Sequence, residues 1–223
     1  MITRRIASLF LASLAGWAGI QSIAAGSDYG EGLYGWYEAG GSMVQDAKIR
    51  DFFDEGVSGN TVKFDPGFHF GIAIGREINP FVRLEVESGY NYNALKSIEG
   101  ATASSANFYR VPIMGNVVLQ YPNRTGFVPF IGAGVGAQWA VCDAQNIEVG
   151  ATTLSEKSDT WVFGYQGYGG VRYQFRDNMS LGVSYHYSVA DAPSWKFSSV
   201  PDGNFKLNGI RTHSVSLLLD WTF

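Results

Sequence analysis

Cysteine, charge and long hydrophobic runs are all scarce in this sequence of 223 residues. Cys142 is the only cysteine, which excludes a disulfide framework and a metal cluster built on thiolates. Charged residues make up 16% of the chain, and a net charge of −4 gives no reason to expect a nucleic-acid partner. Outside residues 1–24, no stretch offers the ~18 uncharged apolar residues that a transmembrane helix needs.

The first 24 residues have the organisation of a secretory signal peptide. Arg4 and Arg5 form a basic start, residues 6–20 form an apolar stretch, and Ser22-Ile-Ala24 supplies a small-x-small cleavage site. We therefore predict that residues 1–24 are removed. Roughly 200 residues remain, which is enough for one domain.

Aromatic residues and glycine are abundant, and apolar residues alternate with polar ones. Aromatics reach 15% and glycine totals 28, a mixture that suits strands with one wet and one apolar face. Alternation is clear at 213–223, where His213, Val215, Leu217, Leu219, Trp221 and Phe223 share one face. Similar segments occur at about 33–44, 68–75, 82–92, 108–121, 127–141, 161–175 and 180–190. Together they make eight predicted strands, an even number, as a closed antiparallel barrel requires.

The connections between the predicted strands alternate in length. Short segments at 76–80, 122–126 and 176–179 have the composition of tight turns, whereas those at about 45–66, 94–107, 142–160 and 191–209 are long. We therefore predict an all-β fold, an eight-stranded antiparallel transmembrane β-barrel at 33–223 with short periplasmic turns and long extracellular loops. Residues 25–32 are expected to form a short periplasmic segment. Pro112 should require a bulge or a local break in the ladder of the fourth strand.

Several motifs resemble those of the small eight-stranded outer-membrane barrels of the OmpA and OmpX type, an outer membrane β-barrel domain family. The motifs are Phe130-Ile-Gly-Ala-Gly-Val-Gly136, Gly170-Val-Arg-Tyr-Gln-Phe175, Ser184-Tyr-His-Tyr-Ser188 and Trp221-Thr-Phe223. The resemblance implies a monomer in the outer membrane of a Gram-negative cell, in contact with the lipid bilayer and lipopolysaccharide. It also implies that Trp221 and Phe223 form the signal that the outer-membrane assembly machinery reads in the last strand.

Inward-facing charges are the first candidate for function. An eight-stranded barrel is just wide enough for side chains to fill, and unpaired buried charges are costly. We therefore predict a salt-bridge plug, with Arg83, Glu85, Arg172 and Asp220 in a lower layer and Glu38, Glu87 and His186 nearer the middle. Inward glycines could leave free volume, so a narrow ion or small-solute channel is the alternative. The predicted lumen charge network comprises Glu38, Arg83, Glu85, Glu87, Arg110, Arg172, His186 and Asp220.

His186-Tyr-Ser188 resembles the His-x-Ser of outer-membrane lipid A deacylases. Both side chains fall on the predicted lumen face, whereas a lipid ester would arrive from the outer face. A lipid A-modifying hydrolase is therefore the third hypothesis, and we predict no enzymatic activity, cofactor or metal.

The long loops contain aromatic residues that could bind a partner. Phe52 and Phe53 lie in the first loop, and Trp195 and Phe197 lie in the fourth. Exposed aromatics can anchor a protein contact, although these could also dip into the headgroup layer or pack over the barrel mouth. We predict an envelope-integrity or surface-interaction (adhesin-like) scaffold with a filled lumen, whose extracellular ligand the sequence does not identify.

Overall fold

Eight long antiparallel strands form a closed ring in the computed structural model of the chain. The structure describes residues 32–52, 60–99, 105–145, 147–149, 152–198 and 204–223. In these ranges no helix is long and apolar enough to cross a membrane. The strands are β1 (Leu33–Val44), β2 (Ala47–Phe52), β3 (Thr61–Phe64), β4 (Gly67–Asn79), β5 (Val82–Ile98), β6 (Ser105–Gln120), β7 (Phe127–Gln145), β8 (Ile147–Val149), β9 (Thr152–Leu154), β10 (Lys157–Arg176), β11 (Met179–Ala190), β12 (Ser194–Lys196), β13 (Asn204–Leu207) and β14 (Ile210–Thr222).

The ring runs in the order β1-β4-β5-β6-β7-β10-β11-β14 and closes where β14 pairs with β1. That closing ladder extends from Tyr34 opposite Thr222 to Val44 opposite Thr212. Each strand of the ring overlaps one of the eight strands predicted from the alternation. The predicted eight-stranded antiparallel barrel is therefore confirmed.

Alternation along each strand separates an apolar outer face from a polar interior. On β14, Leu217 is 66% exposed on the outside, whereas its neighbour Ser216 is 2% exposed on the inside. The same contrast holds on β5, where Leu84 and Val86 are exposed and Glu85 is buried. In a membrane-spanning barrel the exposed apolar face is the one that lies against lipid.

Tight turns connect the strands at the periplasmic end. The 79–82 turn is fixed by Asn79, whose Oδ1 accepts the Phe81 N–H at 2.9 Å. In the 121–126 turn, Asn123 Oδ1 accepts the Thr125 N–H at 2.9 Å, and Gly126 supplies a φ of +78°. In both turns the asparagine side chain accepts a backbone N–H that has no partner on a neighbouring strand.

The extracellular connections contain strands that were predicted as loops. β2 and β3 occupy the first connection, β8 and β9 the third, and β12 and β13 the fourth. β13 pairs with both β12 and β2, and β2 pairs with β3, so the first and fourth connections form one sheet. Through β3 this sheet joins the upper part of β5.

Pro112 interrupts the ladder between β5 and β6 without shifting its register. Ser88 pairs with Ile113 and Asn91 pairs with Arg110, but no ladder pair lies between them. Proline has no N–H to donate, so the strands separate locally there. The Ser88 hydroxyl donates to the Pro112 carbonyl at 2.9 Å, and the predicted local break is therefore confirmed.

Candidate functional site: the barrel interior and its extracellular cap

A cluster of ion pairs occupies the periplasmic end of the lumen. Arg83 Nη1 lies 2.7 Å from Asp220 Oδ2, and its other nitrogens donate to Glu77. Arg172 Nη1 lies 3.9 Å from the same Asp220 oxygen and its Nη2 donates to Gln120. Two arginines and two carboxylates thus neutralise one another across β4, β5, β10 and β14.

Glu85 lies above this cluster, and in the described part of the chain its hydrogen-bond donors are all neutral groups. Its Oε2 accepts from Tyr34 Oη at 2.7 Å and from Trp36 Nε1 at 2.9 Å. Its Oε1 accepts from Asn116 Nδ2 at 3.1 Å and from the Tyr168 hydroxyl. Glu85 was predicted to join Arg83 and Arg172 in one layer. The structure instead gives it four neutral donors, enough to satisfy a buried carboxylate.

Glu38 and Glu87 occupy the middle of the lumen. Glu38 accepts from His69 Nε2 at 2.5 Å, from His186 Nε2 at 3.0 Å and from Ser184 Oγ at 2.7 Å. The His186 ring stacks on Tyr168 with the centroids 4.6 Å apart. Glu38 therefore ties β1 to β4 and to β11 across the barrel.

Among the described residues, the hydrogen-bond partners of Glu87 are amides. Asn116 Nδ2 donates to its Oε2 at 2.7 Å, and Gln166 Nε2 donates to the same oxygen at 2.5 Å. These bonds link β5 to β6 and to β10. The carboxylate is 1% exposed, so they replace the water that it would otherwise bind.

Arg110 lies near the upper end of the polar interior and differs from the lumen arginines Arg83 and Arg172. Its Nη1 donates to Gln138 Oε1 at 3.1 Å and its Nη2 donates to the Thr212 hydroxyl. Among the described residues it forms no ion pair, and its Nε has no hydrogen-bond partner. The predicted network therefore extends to Arg110 through neutral side chains rather than through charge pairing.

The inward glycines do not open a path through the barrel. A Cβ on Gly132 would lie 2.3 Å from the Tyr168 ring, and one on Gly134 would lie 1.7 Å from Asn116 Oδ1. Large neighbouring side chains thus occupy the space that each missing side chain leaves. A partly open cavity beside Glu38 and Glu85 measures about 20 Å³, close to the minimum that one water needs. A wider space of about 600 Å³ lies at the periplasmic mouth.

An apolar cap closes the extracellular end of the interior. Its buried core combines inward residues at the tops of the barrel strands with residues from the first, third and fourth connections. Trp195 of β12 lies at its centre, packing against Phe205 and edge-on against Phe108, with ring centroids 5.6 and 5.7 Å away. Its Nε1 donates to the Ala140 carbonyl at 3.1 Å, which joins the fourth connection to β7.

Comparison with known proteins places this architecture in a family. The family model described as "Outer membrane protein beta-barrel domain" matches residues 6–223. The chain belongs to this outer-membrane β-barrel domain family. Its relatives include outer membrane protein PagN of Salmonella typhimurium strain LT2, which is 30% identical over 178 residues covering 70% of this chain and 74% of PagN. The protein is therefore an outer-membrane protein that sits in the lipid bilayer.

Solved structures show the same fold. Neisserial surface protein A is similar with a TM-score of 0.56 and 18% identity, covering 86% of this chain and 98% of its own. OprG of Pseudomonas aeruginosa has a TM-score of 0.55 and 12% identity, covering 86% of this chain and 97% of its own. At these identities the similarity supports the barrel fold alone.

The loop aromatics of the fourth connection, which were predicted as candidate contacts, are buried in this family member. Trp195 is 1% exposed and Phe197 is 3% exposed, both within the cap. They are therefore not surface anchors, and of the predicted alternatives the packing over the barrel mouth is the one observed. The backbone of Phe52 pairs with Phe205, whereas Phe53 lies outside the described residues.

The other sequence-predicted sites of this outer-membrane barrel lie as follows. His186 and Ser188 both sit on lumen positions of β11, and no hydrogen bond links their side chains; His186 is bonded to Glu38 instead. Trp221 and Phe223 lie on the outer face at the periplasmic end, with Trp221 packed 4.9 Å from Tyr37. Among the described residues, no group of His, Cys, Asp or Glu side chains could hold a metal ion.

Several members of the interior network were absent from the predicted set, among them His69, Tyr34, Trp36 and Glu77. His69 has the inward phase of its strand, but its pairing with Glu38 depends on a register that one sequence does not provide. Tyr34 and Trp36 share the inward phase of Glu38, which could have revealed them. Glu77 had been read as part of a turn. In the structure, Arg83 contacts both Glu77 and Asp220.

Proposed function

We propose that this protein is a non-conducting, non-enzymatic scaffold of the outer membrane that presents a folded extracellular cap for surface interaction and supports envelope integrity. The observation that carries the proposal is the filled interior. Ion pairs, hydrogen-bonded carboxylates and the apolar cap follow one another from the periplasmic to the extracellular end. The small cavity beside Glu38 and Glu85, about 20 Å³, has room for about one water.

The cap supports a role in binding because its strands hold the extracellular surface in one conformation. β12, β13, β2 and β3 are joined by backbone ladders, and their inward side chains are buried. Their outward side chains, including Arg50 and Lys196, are exposed. A preorganised surface loses less conformational entropy on binding than a flexible loop does. A partner would therefore contact these exposed residues rather than the buried aromatics.

Conductance in planar bilayers tests the filled lumen. We expect no discrete steps for the wild-type protein or for Arg124→Ala, a control in an exposed periplasmic turn. Discrete steps in the wild type that change with Arg83→Ala would contradict the proposal and would support the narrow channel instead.

Deletion of residues 192–207 tests the cap. This deletion removes β12 and β13, so cells that express the variant should lose adhesion while the barrel retains its heat-dependent mobility in gels. Adhesion that survives the deletion would remove the cap from the proposal. Release of acyl chains from lipopolysaccharide, with Ser188→Ala as the control, would support the hydrolase hypothesis.

A further inference from the structure

The guanidinium of Arg110 is a buried positive charge without an ion pair in the described part of the chain. The other two lumen arginines have carboxylate partners, since Arg83 contacts Asp220 and Glu77, and Arg172 lies 3.9 Å from Asp220. Arg110 is more deeply buried than either, with 1% exposure. Charges in a protein interior are paired because an unpaired buried charge is costly. Arg110 therefore lies where a counterion is needed.

The carboxylates of the middle lumen are used by other side chains. Glu38 accepts hydrogen bonds from two histidines and a serine, and Glu87 accepts from two side-chain amides. Asn91 lies opposite Arg110 on β5, and its Oδ1 is bonded to a histidine. Met114, the ladder partner of Glu87, lies four residues below Arg110, which is about 13 Å along a strand. The described acids of the barrel thus leave Arg110 without direct neutralisation.

The groups around Arg110 include more hydrogen-bond donors than acceptors. Its Nη1 donates to Gln138 Oε1 at 3.1 Å, and its Nη2 donates to the Thr212 hydroxyl. Its Nε is buried and has no hydrogen-bond partner in the described part of the chain. Because Thr212 Oγ accepts from Arg110, its own proton is available, and no described acceptor takes it. Two unpaired donors require an acceptor that brings no donor of its own, and an anion is such an acceptor.

The two unpaired donors lie on the same side of the guanidinium. Nε and Nη2 form one edge of its plane, the kind of edge with which arginine binds anions through two N–H groups. Thr212 lies on this edge because it accepts from Nη2. Ala140 is the ladder partner of Arg110 on β7, and Ser188 is that of Thr212 on β11, so these strands contribute small side chains here. A single small ion can therefore accept from both donors.

The position of Arg110 in the barrel favours tight binding of an ion. β6 and β14 are four places apart in the ring in either direction, so the bond from Arg110 to Thr212 crosses the lumen. Phe108 and Ala140, beside Arg110, belong to the buried apolar core of the cap. Charges attract one another more strongly where apolar groups exclude water, because screening is weak there.

We propose that Arg110 and Thr212 bind a small inorganic monoanion such as chloride at the junction of the polar interior and the cap. The ion neutralises the guanidinium and accepts hydrogen bonds from Arg110 Nε and from the Thr212 hydroxyl. One uncompensated positive charge matches a monovalent ion, because a sulfate or phosphate would leave net negative charge buried. The site does not depend on whether the cap binds a partner.

The dependence of barrel stability on chloride tests the site. The purified protein in zwitterionic lipid vesicles is unfolded with urea while chloride replaces methanesulfonate, a larger anion, at constant ionic strength. An ion that binds only the folded state lowers the unfolding equilibrium constant about tenfold for each tenfold rise in its concentration above the dissociation constant. We expect this dependence for the wild type and for Arg124→Met, a control in an exposed turn.

Two variants of the site should lose the dependence for opposite reasons. Arg110→Met removes the charge and keeps an unbranched side chain, and Thr212→Asp places a carboxylate beside the guanidinium as an internal counterion. The unfolding constant of each should be the same at every chloride concentration. Wild-type crystals grown in bromide should show an anomalous scattering peak beside Arg110 Nε, and crystals of Thr212→Asp should not.

Several outcomes would overturn the proposal. Equal chloride dependence in the wild type and in Arg110→Met would place the ion elsewhere on the protein. A wild type that is indifferent to chloride, or bromide crystals without a peak beside Nε, would identify a water as the acceptor. Retained dependence in Thr212→Asp would exclude Thr212 from the site. If Arg110→Met does not fold, Thr212→Asp and the bromide crystals decide the question.

Discussion

The lower half of the interior and the cap above it both follow an alternating pattern, but the polarity of the inward residues is opposite in the two. On β5, the inward residues Arg83 and Glu87 are polar below the rim, and the inward Leu95 and Ile98 are apolar above it. The outward residues change the other way, from Leu84 to the exposed Lys96. The change occurs because lipid surrounds the lower wall and water surrounds the upper wall. The level of this inversion therefore marks the outer boundary of the membrane on the chain itself.

The two halves are also held together differently. In the lower half, each buried charge depends on particular partners, so removal of one partner leaves another exposed to a medium that cannot solvate it. In the cap, stability comes from apolar packing, whose loss scales with the volume removed. Substitutions in the lower half and in the cap should therefore reduce stability in different ways.

The largest effect is expected for Asp220→Ala in the lower half. This change leaves Arg83 with Glu77 alone and leaves Arg172 without a described carboxylate partner. Breaking a buried ion pair costs about 3–5 kcal/mol of the free energy of unfolding. Urea unfolding in lipid vesicles, followed by tryptophan fluorescence, measures the loss. Asp177→Ala, in an exposed turn, should change it by less than about 0.5 kcal/mol; equal losses would contradict the ion-pair account.

In the cap, Trp195→Ala should cost about 3 kcal/mol because it leaves a cavity against Phe108 and Phe205. We expect the loss to appear as faster protease cleavage of the extracellular connections, with the urea midpoint of the barrel unchanged. Lys196→Ala changes the exposed neighbour on the same strand and is the control. If Trp195→Ala lowers the barrel midpoint as much as Asp220→Ala does, the two halves do not unfold separately.

A smaller effect is expected for Glu85→Gln. The amide keeps the size of the side chain but brings its own N–H groups against donors from Tyr34, Trp36 and Tyr168. Hydrogen bonds to a charged group are worth about 1.5–3 kcal/mol, so we expect a loss of about 2 kcal/mol in the same urea assay. Glu99→Gln, an exposed carboxylate of the rim, is the control. An unchanged midpoint for Glu85→Gln would show that charge at Glu85 is not required.

The smallest effect is expected for Gly132→Ala, which places a methyl group 2.3 Å from the Tyr168 ring. Overpacking of this kind costs about 1–3 kcal/mol, and we expect the lower end because the ring can shift slightly. Gly41→Ala is the matched control, because a Cβ there meets no described atom within 4 Å. If both variants unfold at the same urea concentration, the lumen has more free space than its packing suggests.

The barrel could be predicted from the sequence because lipid imposes a simple rule on every strand. The cap was not predicted, because its strands have apolar residues on the inside and polar residues on the outside, and they were taken for loops. Ala47 and Ile49 alternate inward as regularly as any barrel pair, and so do Phe205 and Leu207. Their alternation is the signal that could have predicted β2 and β13.

The inward charges could be predicted from phase, but their partners could not. Glu38 was correctly placed inside, yet its contact with His69 depends on a diagonal between β1 and β4. Cross-strand register is fixed by turns and by packing across the lumen, neither of which a single sequence specifies. For the same reason Glu85 was assigned to arginines that lie one layer below it.

The break in the ladder at Pro112 gives the barrel wall a point at which two strands can separate locally. Ser88 and Asn91 keep their partners on β6, so Gly89 and Tyr90 can separate from the neighbouring strand and return without any slip of register. Consecutive amides of a strand point to opposite neighbours, and the ladder with β4 is intact at both residues. Deuterium should therefore enter β5 first at the one of these two amides that faces β6. β5 would then stay paired with β4 on one edge while it opens from β6 on the other.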